Sequence, residues 1–340
     1  MSEQQREYAL EHSEVITARA SDLYGIIADV TRWPVLFGPT VHTDHIERTP
    51  SVERFHLWAL LDGNVLNWTT RRTHDPERLV VTYAQAHSRP PFRTMTGEWR
   101  FRPLDGERSE VVLTHRFVPL EDTPEIREQI TRTLDRNSTV ELARLRGVAE
   151  LGHSADELVF SFEEALSGIA GSAADAYAFV AEAEAWPERL PRVTKAVLRD
   201  YREGIENLEL ETVADDGSTT ATSAVRVLFP GERIAFKHIT VPKPLLGHSG
   251  LWTFSDVPAE QGGGSTISVR HTVSVNPATI GEVLGAGATL EDARRHAREI
   301  LGAQCRATME RAAAHAAERA TVPGATKPGD DAVTGAAAPV

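Results

Sequence analysis

The sequence predicts an α+β protein made of two tandem copies of one domain, each a curved antiparallel sheet wrapped around a long C-terminal helix and enclosing a cavity. Three observations predict it. The chain has 340 residues, more than one hydrophobic core usually organises. Five markers recur at nearly constant separation. Within each copy, period-2 alternation gives way to a helical stripe only at the end.

The repeat is read from Trp33-Pro34 and Trp186-Pro187, Asp62-Gly63 and Asp216-Gly217, Arg72 and Arg226, Trp99 and Trp252, and the strands starting at Val111 and Ile267. Their separations are 153, 154, 154, 153 and 156 residues. The boundary is set after a helix ending near Glu150, giving domains 1–152 and 153–320. The stretch 321–340, rich in Ala, Gly, Pro and Asp without apolar periodicity, reads as a disordered tail.

In the first copy, Ala9 to Ile16 reads as a strand, and Ser21 as the N-cap of the helix that follows. Strands are expected at Thr40 to Thr49, Arg54 to Leu61, Val65 to His74, Leu79 to Ala86, Thr94 to Arg102 and Glu110 to Val118. Asp62-Gly63 is the hairpin signal between two of them. Pro124 to Glu150 forms the long helix, with Ile126, Ile130, Leu134, Leu142 and Leu145 as its apolar stripe and Asn137 within it. A sheet gripping such a helix leaves a cavity where a small or chain-like ligand fits.

Composition narrows the function classes. A formal charge of −13 argues against nucleic acid as a partner. No apolar stretch approaches the ~20 residues of a membrane span, and the N-terminus is polar, so a cytoplasmic location is expected. The single cysteine, Cys305, has no neighbours at metal-ligand spacing. With no P-loop, dinucleotide fingerprint, nucleophile elbow or metal cluster in the sequence, the expectation is chemistry with no cofactor and no metal.

The segment Leu66 to Arg72 is the most informative. Alternation places Trp68, Thr70 and Arg72 on one sheet face and Asn67, Thr69 and Arg71 on the other. A guanidinium inside a semi-apolar cavity requires an anion or several acceptors, so Arg72 is a candidate for holding a carbonyl or enolate oxygen. Two alternatives stay open: Arg71 faces inward, or Arg72 pairs with a carboxylate at the sheet edge. Trp33, Phe37, Trp58, Tyr83 and Trp99 supply aromatic wall, and Asn137 is either a cavity amide or a cap on a loop carbonyl. In the second copy Trp186, Arg226, His238, Trp252 and Gln304 are the pocket candidates, with His248 and His271 as further polar groups.

Ser21 to Pro34, Trp68-Thr-Thr-Arg-Arg72, Gly97-Glu-Trp-Arg-Phe101, Thr114-His-Arg-Phe117 and Asn137 together resemble the two-domain aromatase/cyclases of bacterial type II polyketide synthases, over about residues 8 to 318. That family has the helix-grip fold of the START and Bet v 1-like superfamily. The resemblance implies an enzyme that binds a poly-β-ketone on an acyl carrier protein, closes its first ring by an aldol condensation between C7 and C12 of a chain reduced at C9, and dehydrates it to an aromatic ring. It implies Arg72 and Thr70 as catalytic residues and Trp33 and Trp68 as pocket aromatics. The acyl carrier protein is the implied partner, with the ketosynthase and ketoreductase of the same synthase alongside. The second copy keeps Arg226 but has Thr222 in place of the tryptophan, so catalysis is assigned to the first copy.

An acidic carrier docking on an acidic chain requires a local basic patch. The arginines of the long helix are interleaved with Glu128, Asp135 and Glu141 and read as a solvated face. Arg89 and Arg93 are the better candidates for the entrance. The rival reading from another class is a non-catalytic carrier of a hydrophobic small molecule, which the same fold supports.

Overall fold

The structure is a computed structural model that describes residues 6–61, 63–87, 90–214 and 216–321. The expected strand-helix-strands-helix order is present twice. The first repeat runs β1 (Tyr8–Ile16), α1 (Ala20–Ala28), α2 (Trp33–Leu36), β2 (Thr40–Arg48), β3 (Val52–Leu61), β4 (Asn64–Asp75), β5 (Val80–Gln85), β6 (Phe92–Pro103), β7 (Ser109–Pro119) and α3 (Pro124–Ala149). After a short helix α4 (Ala155–Leu158), the second runs β8 (Val159–Ile169), α5 (Ala173–Ala181), α6 (Trp186–Arg189), β9 (Val193–Arg202), β10 (Ile205–Val213), β11 (Thr219–Phe229), β12 (Arg233–His238), β13 (Leu245–Asp256), β14 (Ser265–Val275), α7 (Ile280–Leu284) and α8 (Leu290–Thr321).

Each repeat forms a seven-stranded sheet in which the first strand pairs with the last, in the order β1-β7-β6-β5-β4-β3-β2 and its counterpart β8-β14-β13-β12-β11-β10-β9. Local chemistry accounts for the boundaries. Leu61 pairs with Asn64 across a tight turn in which Gly63 takes φ 77°, a conformation that glycine adopts without steric cost; Asp62 lies outside the described residues. Thr123 caps α3 by accepting from the Ile126 amide at 3.3 Å, with Pro124 in the first turn. Ser21 is not a cap. Helix α1 begins one residue earlier, behind Arg19, and its N-cap makes no side-chain bond.

Helix α3 grips the sheet face formed by alternate residues of β7. Phe117 meets Ile130 and Leu134, while Leu113 shares the main core with Leu142 and Leu145. The register then fixes which residues share that concave face: His115 lies opposite Gly97, Gly97 opposite Tyr83, Tyr83 opposite Arg72, and Arg72 opposite Glu53. In the second repeat Cys305, Met309, Ala312 and Ala316 are the buried stripe of α8. The inserted helix α7 displaces this stripe in the chain, so that Ser138 corresponds to Cys305, 167 residues on.

The contacts divide the described chain into two compact units that do not follow the repeat. One holds the chain up to Phe160 with Val241–Ser249 and Thr272–Arg294; the other holds Ser161–Thr240, Gly250–His271 and the chain from Arg295. Thr321, the first residue of the expected tail, is the last of α8, and 322–340 lie outside the described residues.

Gly97 is required by close approach: a Cβ there would overlap the Thr114 carbonyl and the Tyr83 ring. Gly97→Ala is expected to lower stability by about 1–3 kcal/mol, read as a lower urea midpoint; an unchanged midpoint contradicts the packing.

Candidate active site

Arg72 is 2% exposed and lies on the concave face. Its Nε donates to Glu53 Oε1 at 2.7 Å, Nη1 to the Ile27 carbonyl at 2.8 Å and Nη2 to the Ala28 carbonyl at 2.6 Å. The last carbonyls of a helix have no intrahelical donor, and a cation there also meets the negative end of the helix dipole. The Arg72 Cζ lies over the Trp33 ring at 5.0 Å from the centroid and over the Phe55 ring at 5.5 Å. Of the alternatives the sequence left open, the paired one is observed, although with a buried carboxylate and not an edge one. Every nitrogen of Arg72 is bound to protein, which places it to hold α1 against the sheet.

Glu53 receives three more contacts from the sheet. His45 Nε2 lies 2.7 Å and His74 Nε2 3.2 Å from its oxygens, and Arg72 Nη2 2.5 Å. Burial alone would raise its pKa, but the hydrogen bonds from His45 and His74 and the Arg72 charge outweigh burial and hold the carboxyl well below its usual range.

The second repeat carries the same clamp in looser form. Arg226 Nη2 donates to the Val180 and Ala181 carbonyls of α5 at 3.1 and 3.0 Å, and its Nε lies 3.1 Å from Glu206 Oε1. That ion pair is not aligned as a hydrogen bond: among the described residues, Glu206 Oε1 and Arg226 Nε and Nη1 have no hydrogen-bond partner. Burial therefore prevails, and the Glu206 carboxyl is raised despite Arg226.

The polar groups that converge under α3 are others. Tyr83 Oη lies 2.6 Å from His115 Nδ1, and His115 Nε2 lies 2.9 Å from Ser138 Oγ on α3. Burial, aided by the charge on His12, lowers the His115 pKa to about 4, so the imidazole is neutral near pH 7 and can accept on one nitrogen while donating from the other. Asn137, Glu141 and Arg144 form the neighbouring stripe of α3. Glu141 is exposed, and desolvation by the protein around its carboxyl pushes it up to about 7, partly offset by Arg144. Burial and then the Glu141 charge raise the Tyr83 hydroxyl, which puts the two groups in electrostatic reach. Thr70 lies beside this row, opposite Gln85, whose buried Oε1 has no partner among the described residues.

The remaining candidates separate. Trp33 and Trp68 join the Val30, Phe55 and Leu57 cluster, and Phe37 stands edge-on to Trp33 with centroids 5.7 Å apart. Trp99 is core, stacked with Phe101. Trp58 pairs with Asn67 and contacts His42 and His56, so it is on the opposite face from Trp68. Asn137 is half-buried, and the buried polar position of the stripe belongs to Ser138. Trp186 repeats Trp33, donating to the Phe179 carbonyl at 3.1 Å as Trp33 does to Ile26 at 3.3 Å, and Trp252 repeats Trp99 in the second core. Gln304 is exposed. His238 stands against Phe236, and burial lowers its pKa to about 4. Arg93 is exposed on β6, and Arg89 lies outside the described residues.

In the second repeat the polar row is dismantled. Phe236 takes the place of Tyr83, Cys305 of Ser138, Thr308 of Glu141 and Ala224 of Thr70. His271 remains, stacked 4.7 Å from Phe162, and burial, with Glu164, pushes the Cys305 thiol up to about 12.

A trough of about 410 Å³ opens on the other face of the first sheet, lined by Arg71, Thr73, Thr82, Thr96, Glu98, Arg100, Thr114 and Arg116. Most of these side chains alternate with Arg72, Tyr83, Gly97 and His115, and Tyr83, Ala84 and Gly97 complete the lining. No group of three or more His, Cys, Asp or Glu among the described residues is arranged to hold a metal, and no described helix is long and apolar enough to cross a membrane.

A family profile described as polyketide cyclase/dehydrase and lipid transport matches residues 16–136 and again 169–297. The chain is 46% identical over 311 residues to the granaticin polyketide synthase bifunctional cyclase/dehydratase of Streptomyces violaceoruber, covering 91% of this chain and 94% of that protein. It is 42% identical over 322 residues to the actinorhodin polyketide synthase bifunctional cyclase/dehydratase of Streptomyces coelicolor, covering 91% and 97%. Among solved structures it is similar to the di-domain ARO/CYC BexL of the BE-7585A pathway, with TM-score 0.77 and 39% identity over 91% of this chain and 98% of that one.

Removing the Glu53 charge strands a buried guanidinium, which typically costs about 3–5 kcal/mol. The depressed Glu53 pKa adds stability that is present above its ordinary value near 4.5 and is lost as pH falls below it. Glu53→Gln is therefore expected to melt earlier at pH 7 and to lose less further stability between pH ~5 and ~3 than the parent protein; parallel pH profiles contradict the clamp.

Proposed function

Because the chain belongs to the polyketide cyclase/dehydrase and lipid transport family, we propose that it is an aromatase/cyclase of a type II polyketide synthase. In this reading it closes and dehydrates the first ring, between C7 and C12, of a ketoreduced poly-β-ketone carried by an acyl carrier protein, working in the cytoplasm with the ketosynthase and ketoreductase. The observation that carries the reading is the row Tyr83, His115 and Ser138, with Glu141 in electrostatic reach of Tyr83, of which the second repeat keeps only the histidine.

The chemistry asks little of a protein. A methylene between two ketones is already acidic, so a fixed chain conformation, one base of suitable pKa and donors for the developing oxyanion suffice. A carboxyl titrating near pH 7 matches that base. Glu141 takes a methylene proton; the enolate carbon attacks the distant ketone carbon, forming the new C–C bond, and the alkoxide takes a proton to become a hydroxyl. Loss of a neighbouring C–H proton and of that hydroxyl, protonated to leave as water, gives the double bond.

Tyr83, held by the neutral imidazole of His115, donates to the enolate oxygen, with Thr70 and Asn137 as further donors along the chain. Ser138 fixes the imidazole. Arg72, with Glu53, is the frame for this row. Trp33, Phe37 and Trp68 wall the far end and exclude water, which limits competing cyclisations.

The test is product profiling in a reconstituted minimal synthase with its ketoreductase. The intact protein is expected to divert product to an aromatised first ring. Glu141→Gln and Tyr83→Phe are each expected to lower that flux by about 10²-fold, the usual contribution of a proton-transferring group, while Thr308→Ala leaves it unchanged. Cyclisation should rise as pH passes through about 7, and Glu141→Gln should lose that limb. A profile that the intact protein does not alter replaces the enzyme with a carrier of hydrophobic molecules.

A further inference from the structure

The turn α2 carries Trp33 and leads to Phe37, and it is gripped from parts of two strands, β13 up to Ser249 and β14 from Thr272, that the repeat assigns to the second copy but the contacts assign to the first compact unit. Ser274, fully buried in β14, donates from Oγ to the Val35 carbonyl at 2.7 Å. Gly247 in β13 lies against the same residue: a Cβ there would overlap the Val35 carbonyl and come within 2.8 Å of its Cα. The obstacle is backbone, which cannot swing aside as a side-chain tip can. The two segments are tied to each other, since the Asn276 amide donates to the Pro244 carbonyl at 2.7 Å.

What the turn positions is the wall of the site. Trp33 lies on Arg72 and Phe37 stands on Trp33. Gly38, the next residue, is pressed against the Arg144 guanidinium, where a Cβ would collide. Arg144 in turn follows Glu141 by three positions on α3, within one helical turn. Val35 therefore sits between the grip of β13 and β14 and the α3 stripe of Asn137, Glu141 and Arg144, which the turn meets through Gly38.

We infer that Gly247 and Ser274 are specificity-determining positioning residues, through which the second repeat sets the aromatic wall of the first repeat's site. The inference rests on the cyclase reading for its effect on product and on geometry alone for its effect on the turn. It gives the second repeat a task although its own polar row is gone: a single repeat would have the acid-base groups with a turn free to shift, and the folded chain would close into more than one conformer.

The experiment uses the full chain with Gly247→Ala, Ser274→Ala and a control, Gly171→Ala. The control meets the Ala316 backbone and so disturbs packing without touching the turn. Hydrogen exchange is read at the Phe37 amide, which donates to the Trp33 carbonyl at 2.8 Å, and the ratio of correctly cyclised to shunt product is read in the reconstituted synthase.

Both test variants are expected to speed Phe37 exchange by roughly fivefold or more, the equivalent of one lost hydrogen bond, and to shift the product ratio toward shunt while total polyketide stays constant. Gly171→Ala should do neither. Unchanged exchange in both test variants, or a product shift no larger than in Gly171→Ala, overturns the positioning role. A parent protein that forms no cyclised product overturns the cyclase reading instead, and the exchange measurement still decides the role of Gly247 and Ser274.

Discussion

One buried ion pair holds the first sheet to the short helix that crosses it. Arg72 satisfies the last carbonyls of α1 and returns its charge to Glu53 one strand away, so α1, β3 and β4 share a single electrostatic joint. Burying two charges is costly unless their remaining hydrogen-bonding groups are met, and here they are met by helix carbonyls on one side and by His45 and His74 on the other. The Arg72 Cζ, fixed by these bonds, lies 5.0 Å from the centre of the Trp33 ring. The aromatic wall, and through it the shape available to a bound chain, follows from the joint.

The second repeat shows what relaxing that joint does. Arg226 keeps the helix carbonyls, but Glu206 loses hydrogen-bond alignment and its carboxyl shifts upward in pKa where Glu53 shifts downward. In parallel Tyr83 becomes Phe236, Ser138 becomes Cys305 and Glu141 becomes Thr308. The clamp is thus retained with less precision, while Tyr83, Ser138 and Glu141 of the first repeat are replaced by groups that do not titrate near neutral pH. Duplication followed by specialisation of one copy is the economical account, with the second copy's strands now bracing the first copy's turn.

Much of this was legible in the sequence. Alternation and turn chemistry placed all seven strands and the long helix of the first repeat to within about two residues, because those signals are local. It also put Trp68, Thr70 and Arg72 on one face, as observed. Partners were not legible. Glu53 lies nineteen residues from Arg72, and nothing in an alternating strand says which carboxylate will face a given arginine. The Tyr83, His115 and Ser138 row joins three elements and is defined only by register. Asn137 was singled out in place of Ser138 because a helical stripe read at 3.6 residues per turn does not separate adjacent positions, and Ser138 is small enough to hide among apolar neighbours. Trp58 was misgrouped because its strand is buried on both faces at that point, which removes the alternation that would have assigned it.

In the cyclase reading Arg72 and Glu53 form a frame and do not touch the substrate. The most direct test replaces both by apolar residues, Arg72→Met with Glu53→Leu, since a buried pair exchanged as a whole for apolar side chains is commonly tolerated. A frame role gives a folded double variant that still directs the reconstituted synthase to the aromatised first-ring product. A double variant that folds with the parent's melting behaviour yet yields only shunt products would place the Arg72 guanidinium on the substrate and contradict it.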